Sequence, residues 1–159
     1  MSTGEYESIL TSAATLKAKG DCMAALNEYE RAIDSNYERL EAYFEVAKML
    51  LRHDGIWKDN KQVIGAELAV KYLKDALSWD KNNIPALELL FSAAMHIGQL
   101  HLAVQTASRL TNLSPDKEHW QEQGRRTFDT LQHIPHQMKL LGWLVGSEGI
   151  NEIHKKFGR

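Results

Sequence analysis

The feature that most constrains the fold of this chain is an internal repeat with a period of 34 residues. Ala69 and Ala103 are 34 residues apart, and so are Ala76 and Leu110. Ala25 precedes Ala69 by 44 residues, which is one period of 34 plus ten. A fixed period of this length is typical of proteins in which one supersecondary unit stacks on the next. The spacing therefore predicts a stack of related units with one insertion of about ten residues.

Within each repeat, the apolar residues recur with the period of an α-helix. One such face consists of Leu40, Tyr43, Phe44, Ala47, Leu50 and Leu51, and the next of Leu68, Ala69, Tyr72, Leu73, Ala76 and Leu77. Gly20 and Gly98 are expected to end helices, and Pro85 suits a first helical turn. We therefore predict an all-α fold without a sheet.

The most specific pattern lies in residues 20–32, where Gly20 is followed by Ala25, by Tyr29 four residues on, and by Ala32. This pattern resembles the second helix of the tetratricopeptide repeat (TPR) family, and Pro115 closes a later repeat in the way that is typical of that family. The resemblance implies a TPR-like superhelix of about three helix-turn-helix repeats with C-terminal capping helices.

The resemblance also implies a domain organisation for the whole chain. Residues 1–159 are expected to form a single TPR-like domain, with its ten-residue insertion in the second repeat. The expected segments are repeats at about 6–39, 40–83 and 84–117, followed by a C-terminal cap at 118–159.

The C-terminal segment departs from the repeat pattern. Its apolar run starts at Pro135, and Gly146-Ser147 is expected to break that run into two helices. A stack of repeats ends in an open apolar face, so capping is the favoured role for this segment. Docking onto a partner, onto a second copy of the chain as a homodimer, or onto a membrane surface stays open.

Composition excludes several classes of function. A formal charge of -2 provides no overall basic field for nucleic acid. The only cysteine, Cys22, cannot form an internal disulfide, and its place in the repeat predicts that it is buried. The N-terminal residues do not resemble a signal peptide, and no apolar run reaches the roughly 20 residues of a membrane span. A cytoplasmic protein without a membrane span is expected.

The sequence offers little support for catalysis or for a cofactor. His133 and His136 are separated by Ile134-Pro135, which disfavours the continuous helix that would align them as metal ligands. His96 and His101 have no nearby cysteine to complete a zinc site. Phosphate-binding glycine loops and nucleophile elbows do not occur in the sequence. We therefore predict a protein that is not an enzyme and that has no catalytic residues, metal or cofactor.

In TPR proteins the first helix of each pair lines a concave groove that receives a peptide, and the resemblance places such a groove here. Lys48, Arg52 and Arg126 favour an acidic segment in it. The positions of the carboxylate clamp found in chaperone-binding TPR domains hold other residues, including Leu10, Ala14 and Glu45, so that clamp is not expected. The predicted partner-binding residues are Glu41, Phe44, Lys48, Leu51, Arg52, Glu88, Ser92, Met95, His96, Glu122 and Arg126.

Two tryptophans outside the groove are possible secondary contacts. Trp57 lies in the insertion and Trp143 in the C-terminal segment, and tryptophan is enriched at binding hot spots. For Trp57 the favoured interpretation is that its ring packs back over its own repeat, and for Trp143 it is that its segment caps the stack. The leading functional hypothesis is an adaptor or assembly factor that binds a protein or peptide. The alternative is a small dedicated chaperone for one client, similar in size and repeat number to the TPR chaperones of bacterial secretion systems.

Overall fold

A computed structural model describes residues 3–51 and 61–158, and within these ranges the chain consists of helices and their connections, without a strand. The all-α prediction is confirmed for this part of the chain. Arg52, Trp57 and most of the predicted insertion lie outside the described residues. The eight helices in the described ranges are α1 (Thr3–Ala18), α2 (Cys22–Ser35), α3 (Glu41–Leu51), α4 (Lys61–Trp79), α5 (Ile84–His96), α6 (Leu100–Leu113), α7 (Lys117–Leu131) and α8 (Pro135–Phe157).

The helix boundaries follow local sequence signals. Gly20 and Gly98 have φ angles of 84° and 70°, a left-handed conformation that glycine adopts without steric cost, so α1 and α5 end just before them. Pro85 lies in the first turn of α5, and the side chain of Asn83 accepts a hydrogen bond of 3.0 Å from the backbone N–H of Ala86. The predicted roles of both glycines and of Pro85 are confirmed.

The chain divides into two compact units, an N-terminal unit of residues 1–81 and a C-terminal unit of residues 82–159. In the N-terminal unit, α1 packs against α2, α2 against α3, and α3 against α4. In the C-terminal unit, α6 packs against α5, α7 and α8, and α7 also packs against α8. Within each unit, the packed helices therefore bury apolar surface that no helix could bury by itself.

In the N-terminal unit, Tyr6 of α1 stabilises the beginning of α3. Its side chain is almost fully buried, and its hydroxyl accepts a hydrogen bond of 3.2 Å from the backbone N–H of Ala42. That N–H belongs to the first turn of α3, where no backbone acceptor is available within the helix. The guanidinium of Arg39 lies 4.4 Å from the centre of the Tyr6 ring. These contacts hold α1 and α3 together at one end.

In the C-terminal unit, aromatic side chains pack between the helices. The rings of Phe91 in α5 and Trp120 in α7 are 5.2 Å apart in an edge-to-face arrangement, and both side chains are buried. Ala103 in α6, one of the alanines related by the 34-residue spacing, is fully buried. Phe128 in α7 and Phe157 in α8 complete the core and are also fully buried.

The C-terminal helix is broken where the sequence predicted. Gly146 has a φ of 73° and a ψ of 175°, which interrupts α8 between its two halves. Beyond the break, the Lys156 Nζ donates hydrogen bonds of 3.1 Å to the backbone oxygen of Ser108 and to the side-chain oxygen of Asn112. Burial lowers the pKa of Lys156 below that of a free lysine. The second half of α8 is therefore attached to α6 by polar contacts as well as apolar ones.

One prediction about the core is wrong. Cys22 was expected to be buried, but it is the first residue of α2 and is only half-buried, because a helix-terminal position faces partly into the loop. Within residues 3–51 and 61–158, no helix combines the length and the apolar character that a membrane crossing requires.

Candidate functional site

An open cleft of about 570 Å³ lies in the N-terminal unit. Helix α1 contributes residues spaced three and four apart, which therefore share one side of the helix. Helix α3 contributes two glutamates four residues apart, and α2 contributes a single tyrosine. The lining residues are Leu10, Ala14, Lys17, Ala18, Tyr29, Glu41 and Glu45.

The carboxylates of the cleft are held in place by cations. The Lys17 Nζ lies 3.0 Å from Oε2 of Glu45 and links α1 to α3. The Arg39 Nη2 donates a hydrogen bond of 2.8 Å to Oε1 of Glu41. Burial has the largest single effect on the pKa of Glu41 and would raise it. The hydrogen bonds from Arg39, Tyr6 and the backbone, together with the positive charge of Arg39, outweigh burial, so the pKa is lowered and the group stays ionised. The acidic side of the cleft is therefore charged at neutral pH.

The cleft combines an apolar strip with a net negative charge. Leu10 is half-buried, whereas Ala14 and Ala18 are exposed, so small side chains leave room along α1. Lys17 carries one positive charge against the two negative charges of Glu41 and Glu45, which leaves a formal charge of -1 on the lining. This arrangement can accept an aliphatic side chain against α1 and a cationic group near α3.

The predicted partner-binding residues of α3 take different places in the N-terminal unit. Glu41 lines the cleft, whereas Phe44 and Leu51 are half-buried. Lys48 is exposed, and its Nζ lies 3.7 Å from Oε1 of Glu45. Arg52 lies outside the described residues. The cation that was predicted to attract an acidic segment, Lys48, thus already lies beside a carboxylate.

The other predicted residues belong to the C-terminal unit. The four on α5 are spaced along one side of the helix and are exposed: Glu88, Ser92, Met95 and His96. Glu122 and Arg126 on α7 are also exposed, and the Arg126 Nε donates a hydrogen bond of 2.9 Å to Oε1 of Glu122. The Sδ of Met95 lies 4.0 Å from Oγ1 of Thr127, the neighbour of Arg126. Within this unit, one predicted residue of α5, Met95, therefore lies close to α7.

Of the two tryptophans predicted as secondary partner contacts, the structure describes only Trp143. Trp143 in the first half of α8 is 72% exposed, so its ring does not pack onto its own unit. The Lys139 Nζ lies 5.3 Å from the centre of the Trp143 ring. Trp57 lies outside the described residues.

Sequence reasoning missed the contribution of α1 to the cleft. Leu10 and Ala14 were considered only as positions of a carboxylate clamp, and Lys17 was not considered. Their spacing could have indicated the apolar strip, since it places Leu10, Ala14 and Ala18 on one side of α1.

No protein-family profile matches the chain, and no curated protein is similar to it at a significant level. The resemblance to TPR repeats rests on the residues of the chain itself.

Proposed function

We propose that this chain is a TPR-like, non-enzymatic protein-binding module of the cytoplasm that holds a polypeptide segment as an adaptor or assembly factor. The cleft between α1 and α3 is the observation that carries the proposal. It combines an apolar strip with fixed charges along two neighbouring helices, which suits a short extended or helical segment. A partner bound there would bury the exposed side chains of Ala14 and Ala18.

The charges of the cleft favour a basic segment. The sequence favoured an acidic segment because of Lys48, Arg52 and Arg126. In the structure, however, Lys48 lies beside Glu45 and Arg126 beside Glu122, so their charges are partly neutralised. Glu41 and Glu45 are likewise paired, with Arg39 and Lys17, but Arg39 does not line the cleft, so the lining itself keeps a formal charge of -1. We therefore propose a partner segment in which a lysine or arginine follows an aliphatic residue.

A peptide library displayed on phage and selected against the full chain tests this proposal. We expect enriched peptides to pair an aliphatic residue with lysine or arginine. Ala14→Arg should weaken the binding of these peptides by more than about tenfold, because a long cationic side chain fills the cleft and repels the ligand. Fluorescence anisotropy with synthetic peptides measures the change.

Ser8→Arg is the matched control, since Ser8 is exposed on α1 and does not line the cleft. Peptides that bind Ala14→Arg and the unchanged chain equally well would contradict the assignment of the cleft. Affinity purification followed by mass spectrometry then separates two kinds of partner. Several cellular partners would support an adaptor, whereas one stoichiometric secreted client would support a dedicated chaperone.

A further inference from the structure

The first half of α8 exposes a side that no contact within the C-terminal unit covers. Leu141 is fully buried and attaches this half to the unit, whereas Trp143 and Leu144 are 72% and 43% exposed. Leu140 is half-buried beside them. Exposed tryptophan and leucine on a helix whose other side is buried mark an interaction surface.

The only charged residue in the segment that forms this surface is a lysine, Lys139. The sequence has no aspartate or glutamate between Asp129 and Glu148. In the same stretch, Lys139 is exposed with its Nζ near the Trp143 ring, and His136 is exposed one turn before Leu140. The segment therefore supplies apolar groups and one cationic group, and it contains no carboxylate.

This charge distribution argues against a second copy of the chain as the occupant. A two-fold contact places the same patch on both sides, so neither copy would offer a carboxylate from this segment to the Lys139 of the other. A negatively charged surface would be complementary to the lysine. Tryptophan also suits the boundary between lipid chains and headgroups, where one part of the ring is in an apolar medium and the other is hydrated.

We propose that the outward side of residues 135–145 binds the surface of an anionic lipid bilayer. The helix lies parallel to the bilayer, with Trp143 and Leu144 at the headgroup boundary and Lys139 among the phosphates. Leu141 stays buried in the C-terminal unit, so the contact is peripheral and leaves the fold unchanged. This inference is independent of the peptide cleft in the N-terminal unit.

Co-sedimentation of the full chain with phosphatidylcholine vesicles, with and without phosphatidylserine, tests the proposal. We expect the chain to pellet with the vesicles that contain phosphatidylserine. Trp143→Ser should lower the partition coefficient at least about tenfold because it removes most of the inserted apolar area. Lys139→Glu should lower it by about tenfold because it reverses the charge at the surface. Brominated lipids should quench tryptophan fluorescence in the unchanged chain but not in Trp143→Ser.

Two variants serve as controls. Trp79→Ser removes another half-exposed tryptophan, and Lys155→Glu reverses an exposed charge beyond the break in α8, so both should bind vesicles like the unchanged chain. Circular dichroism verifies that every variant is folded. Absence of binding to either kind of vesicle, or an equal loss in variants and controls, would overturn the proposal. The surface would instead be assigned to a second copy if the unchanged chain forms dimers, Trp143→Ser dissociates them, and the chain does not bind vesicles.

Discussion

The ring of Phe157, near the end of α8, lies against the backbone of Gly124 in α7 and occupies the space that a Cβ atom at position 124 would need. Both residues are buried, and the phenylalanine is fully so. A glycine inside a helix normally lowers helix stability, but here it allows an aromatic ring to approach the helix axis. Gly124 therefore stabilises the contact between α7 and α8.

Gly124→Ala should destabilise the chain. Alanine is the better helix former by up to about 1 kcal/mol, but the overlap with a buried ring typically costs about 1–3 kcal/mol, so a net loss is expected. Urea denaturation measures the free energy of unfolding. Gly142→Ala in α8 is the matched control, because a Cβ there meets no atom within 4 Å. Equal effects of the two changes would mean that the Phe157 ring does not lie where the structure has it.

Tyr6→Phe should lower stability at neutral pH. The change leaves the ring in place but removes the hydroxyl that accepts the hydrogen bond from the N–H of Ala42. A buried N–H without an acceptor costs about 1–3 kcal/mol. Urea denaturation is again the measurement, and Tyr37→Phe is the control because the Tyr37 side chain is about half-exposed. A free energy of unfolding that Tyr6→Phe leaves unchanged would contradict the role of the hydroxyl.

Tyr6 should also make stability depend on pH in the alkaline range. Burial raises the pKa of Tyr6 from 10.0 to about 12. Between these values the unfolded chain has lost the phenolic proton and the folded chain keeps it, so the free energy of unfolding falls as the pH rises. Tyr6→Phe should reduce this slope without abolishing it, since burial also raises the pKa of Tyr29, Tyr43 and Tyr72. Denaturation at a series of pH values tests the slope.

Ala103→Leu should destabilise the C-terminal unit by about 1–3 kcal/mol, because a larger side chain overpacks a fully buried position in α6. A thermal melt followed by circular dichroism measures the loss. Ala18→Leu, at an exposed position, should leave the melt nearly unchanged. A melt that Ala103→Leu does not shift would contradict the 34-residue register, which pairs Ala103 with Ala69.

Lys48→Glu distinguishes the two possible charge preferences of the N-terminal unit. It should leave folding intact because Lys48 is exposed and its ion pair contributes little to stability. If the partner segment is basic, association should become faster, most of all at low salt. Stopped-flow mixing with a selected peptide measures the rate. Slower association would support the acidic segment that the sequence favoured.

Much of the fold was predictable because it depends on local signals. The glycines at 20 and 98 and the proline at 85 act through the conformation of their own backbone. The 34-residue spacing related Ala69 to Ala103, and both are fully buried. The contact between Tyr6 and Ala42 was not predictable, because it joins residues 36 positions apart. It requires the packing of α1 against α3, which periodicity alone does not define.

The candidate site was less predictable than the fold. The resemblance to TPR repeats assigned Glu41 to a binding surface but did not assign Lys17, because the contact of Lys17 with Glu45 depends on the neighbouring helix. Gly124 similarly has no sequence signature, since its role depends on a ring 33 residues further along the chain, at position 157. Contacts between residues of different helices form only in the folded chain, so the pattern of residues along one helix does not predict them.

Gly146→Ala should destabilise the C-terminal unit, since its φ of 73° and ψ of 175° are accessible to glycine almost alone. Such a conformation costs a residue with a Cβ about 1–3 kcal/mol. Thermal melts measure the change. Gly142→Ala, four residues earlier in the same helix, is the control, and equal melts for the two variants would contradict the break.

The break at Gly146 also resets the rotational phase of α8. Each helical residue advances by about 100°, so in an unbroken helix Phe157, which is 16 residues after Leu141, would lie about 160° around the axis from it. Both side chains are nevertheless buried in the same unit. Because of Gly146, the two halves of α8 can both bury their apolar sides in one core, although in an unbroken helix these sides would face different directions. Substitutions on the outward side of α8 before Gly146 should therefore leave the packing of Phe157, after Gly146, unchanged.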